Sequence, residues 1–109
     1  SVWPELNSYF YGAAKAGVSN ISMNVAKEYA KDHIRINCIL PGPIMTNMTP
    51  DIVKNSPEVQ KQMMENECIL GRMGQPDDIA YAAVYLGADE SSFVTAASIK
   101  VDGGVTISN

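Results

Sequence analysis

From Ser8 to Lys31, Ala14, Val18, Ile21, Val25 and Tyr29 step along the chain by four, three, four and four residues. That spacing lays them on one face of a helix. Ala13, Ala16 and Gly17 add a small-residue side where another backbone can come close. Lys27, Glu28, Lys31 and Asp32 gather at the far end, with the lysines suited to the negative end of the helix dipole. The first ten residues read as a loop, because Pro4 breaks a helix and Asn7 or Ser8 can cap the next one. Ile34 to Leu40 is short and β-branched, which predicts a strand, and Pro41-Gly42-Pro43 stops it. Ile44 to Gly74 mixes polar and apolar residues and predicts a loop with one helix, from Pro57 to about Glu67, its proline in the first turn. Pro76 to Leu86 predicts a further helix, with Ile79, Ala82, Ala83 and Leu86 facing inward and Gly87 closing it. Ala97 to Val101 predicts a last strand, ended by the turn residues Asp102-Gly103-Gly104.

The order is helix, strand, lid-like helix, helix, strand. A strand reached through a helical crossover is parallel to its predecessor, so the fold class is α/β. Two parallel strands and one strongly apolar helix cannot cover both faces of a sheet. Residues 1–109 are therefore expected to be the C-terminal part of a larger α/β domain, with partner strands supplied upstream or by another chain.

Composition narrows the picture. The chain has 109 residues, 46% of them hydrophobic and 18% charged, enough for one small domain with a core. The formal charge is −4 and no basic cluster occurs, which argues against nucleic acid or an anionic membrane surface as a partner. No apolar run is long enough to span a bilayer. Cys38 and Cys68 make neither a disulfide framework nor a zinc site, so no metal and a reducing, cytoplasmic setting are expected. His33 reads as a solvated cap, Cys38 as a buried strand residue and Cys68 as a loop thiol. Met45, Met48, Met63 and Met64 either line an adaptable apolar pocket or pack a mobile lid.

The candidate chemistry lies in Tyr11 and Lys15, four residues apart and thus on one side of a helix. A phenol with an ordinary pKa of about 10 is a poor acid/base group at neutral pH, and a nearby ammonium favours the phenolate. The pair can serve as an acid/base couple. On spacing alone the pair reads first as an exposed helix pair.

Context adds to this. The run Tyr11-Gly12-Ala13-Ala14-Lys15-Ala16-Gly17-Val18 resembles the catalytic helix of the short-chain dehydrogenase/reductase family. Ile34 to Thr46 resembles that family's strand and its P-G-x-I/V-x-T loop. Gly71-Arg72-Met73-Gly74-Gln75-Pro76-Asp77-Asp78-Ile79-Ala80 is similar to its G-R-x-G-x-P-x-E/D-[IV]-A segment. Ser91 to Thr95 and Val101-Asp102-Gly103-Gly104 are similar to its closing strand region. The motifs come in the family's order and cover nearly the whole chain.

The resemblance implies a Rossmann-type doubly wound parallel sheet and a reaction between a ketone or aldehyde and an alcohol, with NAD or NADP as cofactor. It implies that Tyr11 exchanges the proton with the substrate oxygen, and that Lys15 lowers the tyrosine pKa and binds the nicotinamide ribose. It further implies that Pro41 and Gly42 let the backbone pass the nicotinamide, that Ile44 offers its main chain to the carboxamide, and that Thr46 offers its hydroxyl. Partners implied are a small carbonyl or alcohol substrate and further copies of the chain, in dimers or tetramers. The family's Gly-rich phosphate loop has no counterpart in these residues, and Ser1 stands too close to Tyr11 for the family's catalytic serine. The 109 residues alone are thus expected to be inactive. The competing expectation is a truncated, non-catalytic member that acts by associating with other chains.

Overall fold

The computed structural model describes residues 2–65 and 67–105, and the side chains of residues 1–15 lie outside that description. The chain divides into two compact units, Ser1–Cys38 with Ala88–Ile99, and Ile39–Gly87 with Lys100–Asn109. Its helices are α1 (Val2–Tyr29), α2 (Asp51–Lys54), α3 (Pro57–Met64) and α4 (Pro76–Gly87), and its strands are β1 (Cys38–Pro41) and β2 (Ser98–Val101). The strands pair as one two-stranded sheet. Cys38 N–H donates to Ala97 O and Gly42 N–H to Val101 O, a parallel register. The α/β class expected from the sequence is the one observed.

In the first unit α1 begins at Val2, so the expected loop over the first ten residues is wrong. Pro4 falls in the first turn, where its missing N–H would have no intrahelical partner in any case. At the other end α1 tightens into a 3₁₀ turn, Ala30–Asp32, closed by His33 at φ 62° with its N–H on Ala30 O. His33 is exposed there, as a solvated cap should be. The buried face of α1 is narrower and more polar than the periodicity implies. Ala26 is buried, and Ser22 and Ser19 accept from the Cys38 thiol and the Ser98 hydroxyl at 2.8 and 2.9 Å. Of the expected apolar stripe, Val25 is half-buried, whereas Val18, Ile21 and Tyr29 are exposed.

β1 starts four residues later than Ile34. Asn37 takes the place of a ladder residue: its Nδ2 donates to Val94 O and its Oδ1 accepts from Ala97 N–H, both at 3.0 Å. Arg35 donates to Val94 O at 3.1 Å and to Ala88 O at 3.4 Å, which ties the segment before β2 to the one before β1. Ala96 adopts φ 59°, a left-handed turn that delays β2 to Ser98.

In the second unit the expected single helix is two. α3 starts as predicted, with Pro57 at its first position and the Ser56 hydroxyl accepting from Val59 N–H. α2 precedes it, and Gln60 Nε2 donates to Val53 O at 2.6 Å, joining the pair. Val53, Met64 and Cys68 form this unit's small core. α4 matches its predicted span, but none of its residues is fully buried and Ala83 is exposed. Among the described residues no helix is long and apolar enough to cross a membrane.

Candidate functional site

β1 runs out through Pro41 and Gly42 because neither residue suits a continuing central strand. Gly42 is required here by a close approach: a Cβ on it would stand 2.6 Å from both Cα and Cβ of Asp102. The cause of that glycine is thus β2's exit turn, a contact that the sequence alone does not reveal. Beyond it, Ile44 forms an isolated parallel bridge with Gly74. Gly74 N–H donates to Pro43 O and Gly74 O accepts from Met45 N–H, each at 2.8 Å. In such a bridge the central residue of the opposite segment turns its own N–H and C=O to the other side. Ile44 is that residue, and no hydrogen bond from another described residue reaches its main chain. One donor and one acceptor side by side are the complement of a primary carboxamide.

Thr46 closes a turn on itself. Its N–H donates to Thr49 Oγ1 at 2.9 Å, and its hydroxyl accepts from Met48 N–H at 3.2 Å. Ile44 and Thr46 border different hollows. An open cavity of about 480 Å³ is lined by Pro43, Ile44, Leu70, Gly74, Val101 and Asp102 among others. A shallower one of about 470 Å³ is lined by Met45, Thr46, Asn47, Lys54, Gln75 and Pro76. Of the four methionines, Met45 is half-buried beside Thr46, Met64 is in the core, and Met48 and Met63 are exposed. Tyr11 and Lys15 lie one helical turn apart within α1, and their side chains lie outside the described residues.

Three residues of this region carry roles that the sequence does not announce. The Arg72 guanidinium donates to Met73 O at 3.1 Å and to Asp78 Oδ2 at 3.2 Å. Asp78 Oδ2 also accepts from Gln75 N–H at 2.7 Å, reaching back from the third residue of α4 to its cap. The Gln75 amide, then the Arg72 guanidinium, hold the Asp78 carboxyl below its ordinary pKa. Cys68 is a loop thiol, as expected, but a buried one, and its Sγ–H donates to Gly103 O at 3.1 Å. For Arg72 and Asp78 the sequence signal is the run Gly71 to Asp78, which holds both; for Cys68 the partner, Gly103, lies far away in the chain.

Comparison with known proteins accords with this arrangement. A family model described as enoyl-(acyl carrier protein) reductase matches residues 1–106. The chain is 41% identical over 99 residues to the 3-oxoacyl-[acyl-carrier-protein] reductase FabG of Chlamydia trachomatis, covering 87% of this chain and 37% of that protein. Among solved structures, an NADPH-bound short chain oxidoreductase from Pseudomonas aeruginosa PAO1, described as containing an atypical catalytic center, is similar with a TM-score of 0.78 and 32% identity. That match covers 85% of this chain and 37% of the other. A 4-hydroxyisoleucine dehydrogenase complexed with NADH is similar with a TM-score of 0.75 and 30% identity over 87% of this chain and 38% of the other. The chain therefore spans less than two fifths of the length of each of these relatives. With four sequence motifs, the parallel β1–β2 pair and a family model over residues 1–106 in agreement, the chain belongs to the short-chain dehydrogenase/reductase family.

Proposed function

We propose that the protein carrying these residues is an NAD(P)-dependent oxidoreductase that interconverts a small ketone or aldehyde and the corresponding alcohol. The observation that carries this reading is Ile44: its main chain is turned away from Gly74 with a donor and an acceptor free for a carboxamide. A bound nicotinamide supplies the two-electron chemistry, accepting or donating the hydride. Ile44 fixes the orientation of the ring, with the Thr46 hydroxyl as a second contact from the neighbouring turn. Tyr11 gives its phenolic proton to the substrate oxygen in the reducing direction and takes it back in the other. Lys15, one turn on, favours the phenolate and binds the ribose. The pyrophosphate grip and the remaining strands belong to residues beyond these 109, making the present segment the C-terminal, catalytic part of one Rossmann-type domain.

Related chains bind NADPH and NADH and act on unlike substrates, which supports the cofactor class and leaves the substrate at the level of a carbonyl–alcohol pair. Cys38 and Cys68 are both free and buried, as suits a reducing cytoplasm. The exposed Val18 and Ile21 on α1 support assembly with further copies.

The test is Tyr11→Phe in the full-length protein. Removing the hydroxyl should lower kcat by roughly a hundredfold or more and change dinucleotide affinity by less than about twofold. A variant that keeps half the parent kcat eliminates Tyr11 as the acid/base. Lys15→Met should weaken both turnover and cofactor binding, and unchanged affinity there removes the ribose contact.

A further inference from the structure

We infer that Asp78 is a positioning residue for the cofactor's nicotinamide end, acting through Gly74 on the main chain of Ile44. The inference rests on the reading of Ile44 as the carboxamide contact. Gly74 holds the segment Pro43–Met45 by two hydrogen bonds, so the direction of Ile44's N–H and C=O follows the orientation of Gly74's peptide groups. Gly74 has no side chain with which to hold itself. Its neighbours on both sides are held instead, and both through one carboxylate.

On the near side, Arg72 grips Met73 O and Asp78 Oδ2 with the same nitrogen. On the far side, Gln75 N–H donates to Asp78 Oδ2 while Asp78 N–H donates to Gln75 O at 2.9 Å. Asp78 is itself fixed in the first turn of a twelve-residue helix. The turn from Arg72 to Gln75 is thereby fastened to α4, and the bridge to Ile44 is carried on that turn. A Cβ on Gly74 would meet Ile44 Cδ1 at 2.6 Å, so the Gly74 backbone stands directly against Ile44.

A residue that only caps α4 and one that aims Ile44 differ in a measurable way. A cap acts on stability and on every ligand alike. An aiming residue acts on the nicotinamide end alone. The experiment is calorimetric titration of the full-length protein with NADH or NADPH and with the matching ADP-ribose, which lacks the nicotinamide ring. Parent, Asp78→Ala and Arg72→Met are compared, with Arg72→Met releasing Met73 O while the Gln75 cap stays in place.

The expected result is a loss of about tenfold in reduced-dinucleotide affinity, with ADP-ribose affinity changed by less than about twofold, in both variants. Should Asp78→Ala fail to fold, Arg72→Met, which cuts the near-side link between the carboxylate and Met73 O, gives the same reading. Equal weakening of both ligands, or no change in either, overturns the positioning role while the cofactor reading stands. A parent protein that binds neither ligand overturns the cofactor reading and this inference with it.

Discussion

Gly42 and Asp102 are packed backbone to backbone: a methyl group at position 42 would stand 2.6 Å from Asp102 Cα and 3.0 Å from its carbonyl oxygen. Neither atom belongs to a flexible side-chain tip, so the two strand exits would have to part. Gly42→Ala should therefore destabilise the protein by roughly 1–3 kcal/mol, the usual range for overpacking a tight site. A denaturant midpoint equal to the parent's would show that the exits of β1 and β2 can separate freely.

Gly103 and Cys68 form a similar pair with a partner that can be removed. Gly103 sits at φ 62°, and its Cβ would lie 2.5 Å from the Cys68 sulfur. Gly103→Ala should cost roughly 2 kcal/mol, of which about 1 is left-handed backbone strain. Made in a Cys68→Ala background, the same change should cost less, with a coupling of about 1 kcal/mol in a double-mutant cycle. Strict additivity would mean that sulfur and turn do not meet.

Asp78 links stability to pH. Its carboxyl is held below its ordinary value of 3.8, first by the Gln75 amide and then by Arg72. Below the unfolded pKa the unfolded chain binds the proton more readily than the folded one, so acid favours unfolding. The contribution of Asp78 is complete above about pH 4 and is lost as pH falls through the lower, folded value. Parent and Asp78→Asn should thus differ in melting temperature by a constant amount from about pH 5 to 8 and converge below about pH 4. Curves that converge on raising the pH instead would assign the effect to another group.

What the sequence made legible was local. Tyr11 and Lys15 share a face because a helix repeats every 3.6 residues, and Asp102-Gly103-Gly104 turns because two of its residues adopt positive φ. Pro4 misled, since a proline breaks a helix from within but not in its first turn. Asn37 was opaque for a different reason. An amide that stands in for a strand's hydrogen bonds is defined by its partners, Val94 and Ala97, which lie far along the chain. Asp78 has its partners Arg72 and Gln75 close by in sequence, and only the geometry of the turn joins the three. The periodicity of α1 marks an apolar face without saying which surface covers it, and Val18, Ile21 and Tyr29 on that face are exposed.

The last prediction concerns the 109 residues by themselves. Dinucleotide affinity in a Rossmann-type sheet depends on a Gly-rich turn that leads from a strand into a helix N-terminus, where main-chain N–H groups meet the pyrophosphate. Gly103 and Gly104 follow β2, but the run Val101-Asp102-Gly103-Gly104-Val105 lacks the glycine spacing of such a turn. On the proposed reading, what remains for a cofactor is the nicotinamide end, through the main chain of Ile44, the hydroxyl of Thr46 and the Tyr11–Lys15 pair. Three or four hydrogen bonds contribute about 1 kcal/mol each, and association itself costs at least about 4. The balance is near zero. Titration of the isolated segment with NADH and with NADPH should therefore show no saturable binding below about 1 mM, a limit of some −4 kcal/mol. Tighter binding would place a complete dinucleotide site within these residues and remove the need for a phosphate grip from elsewhere.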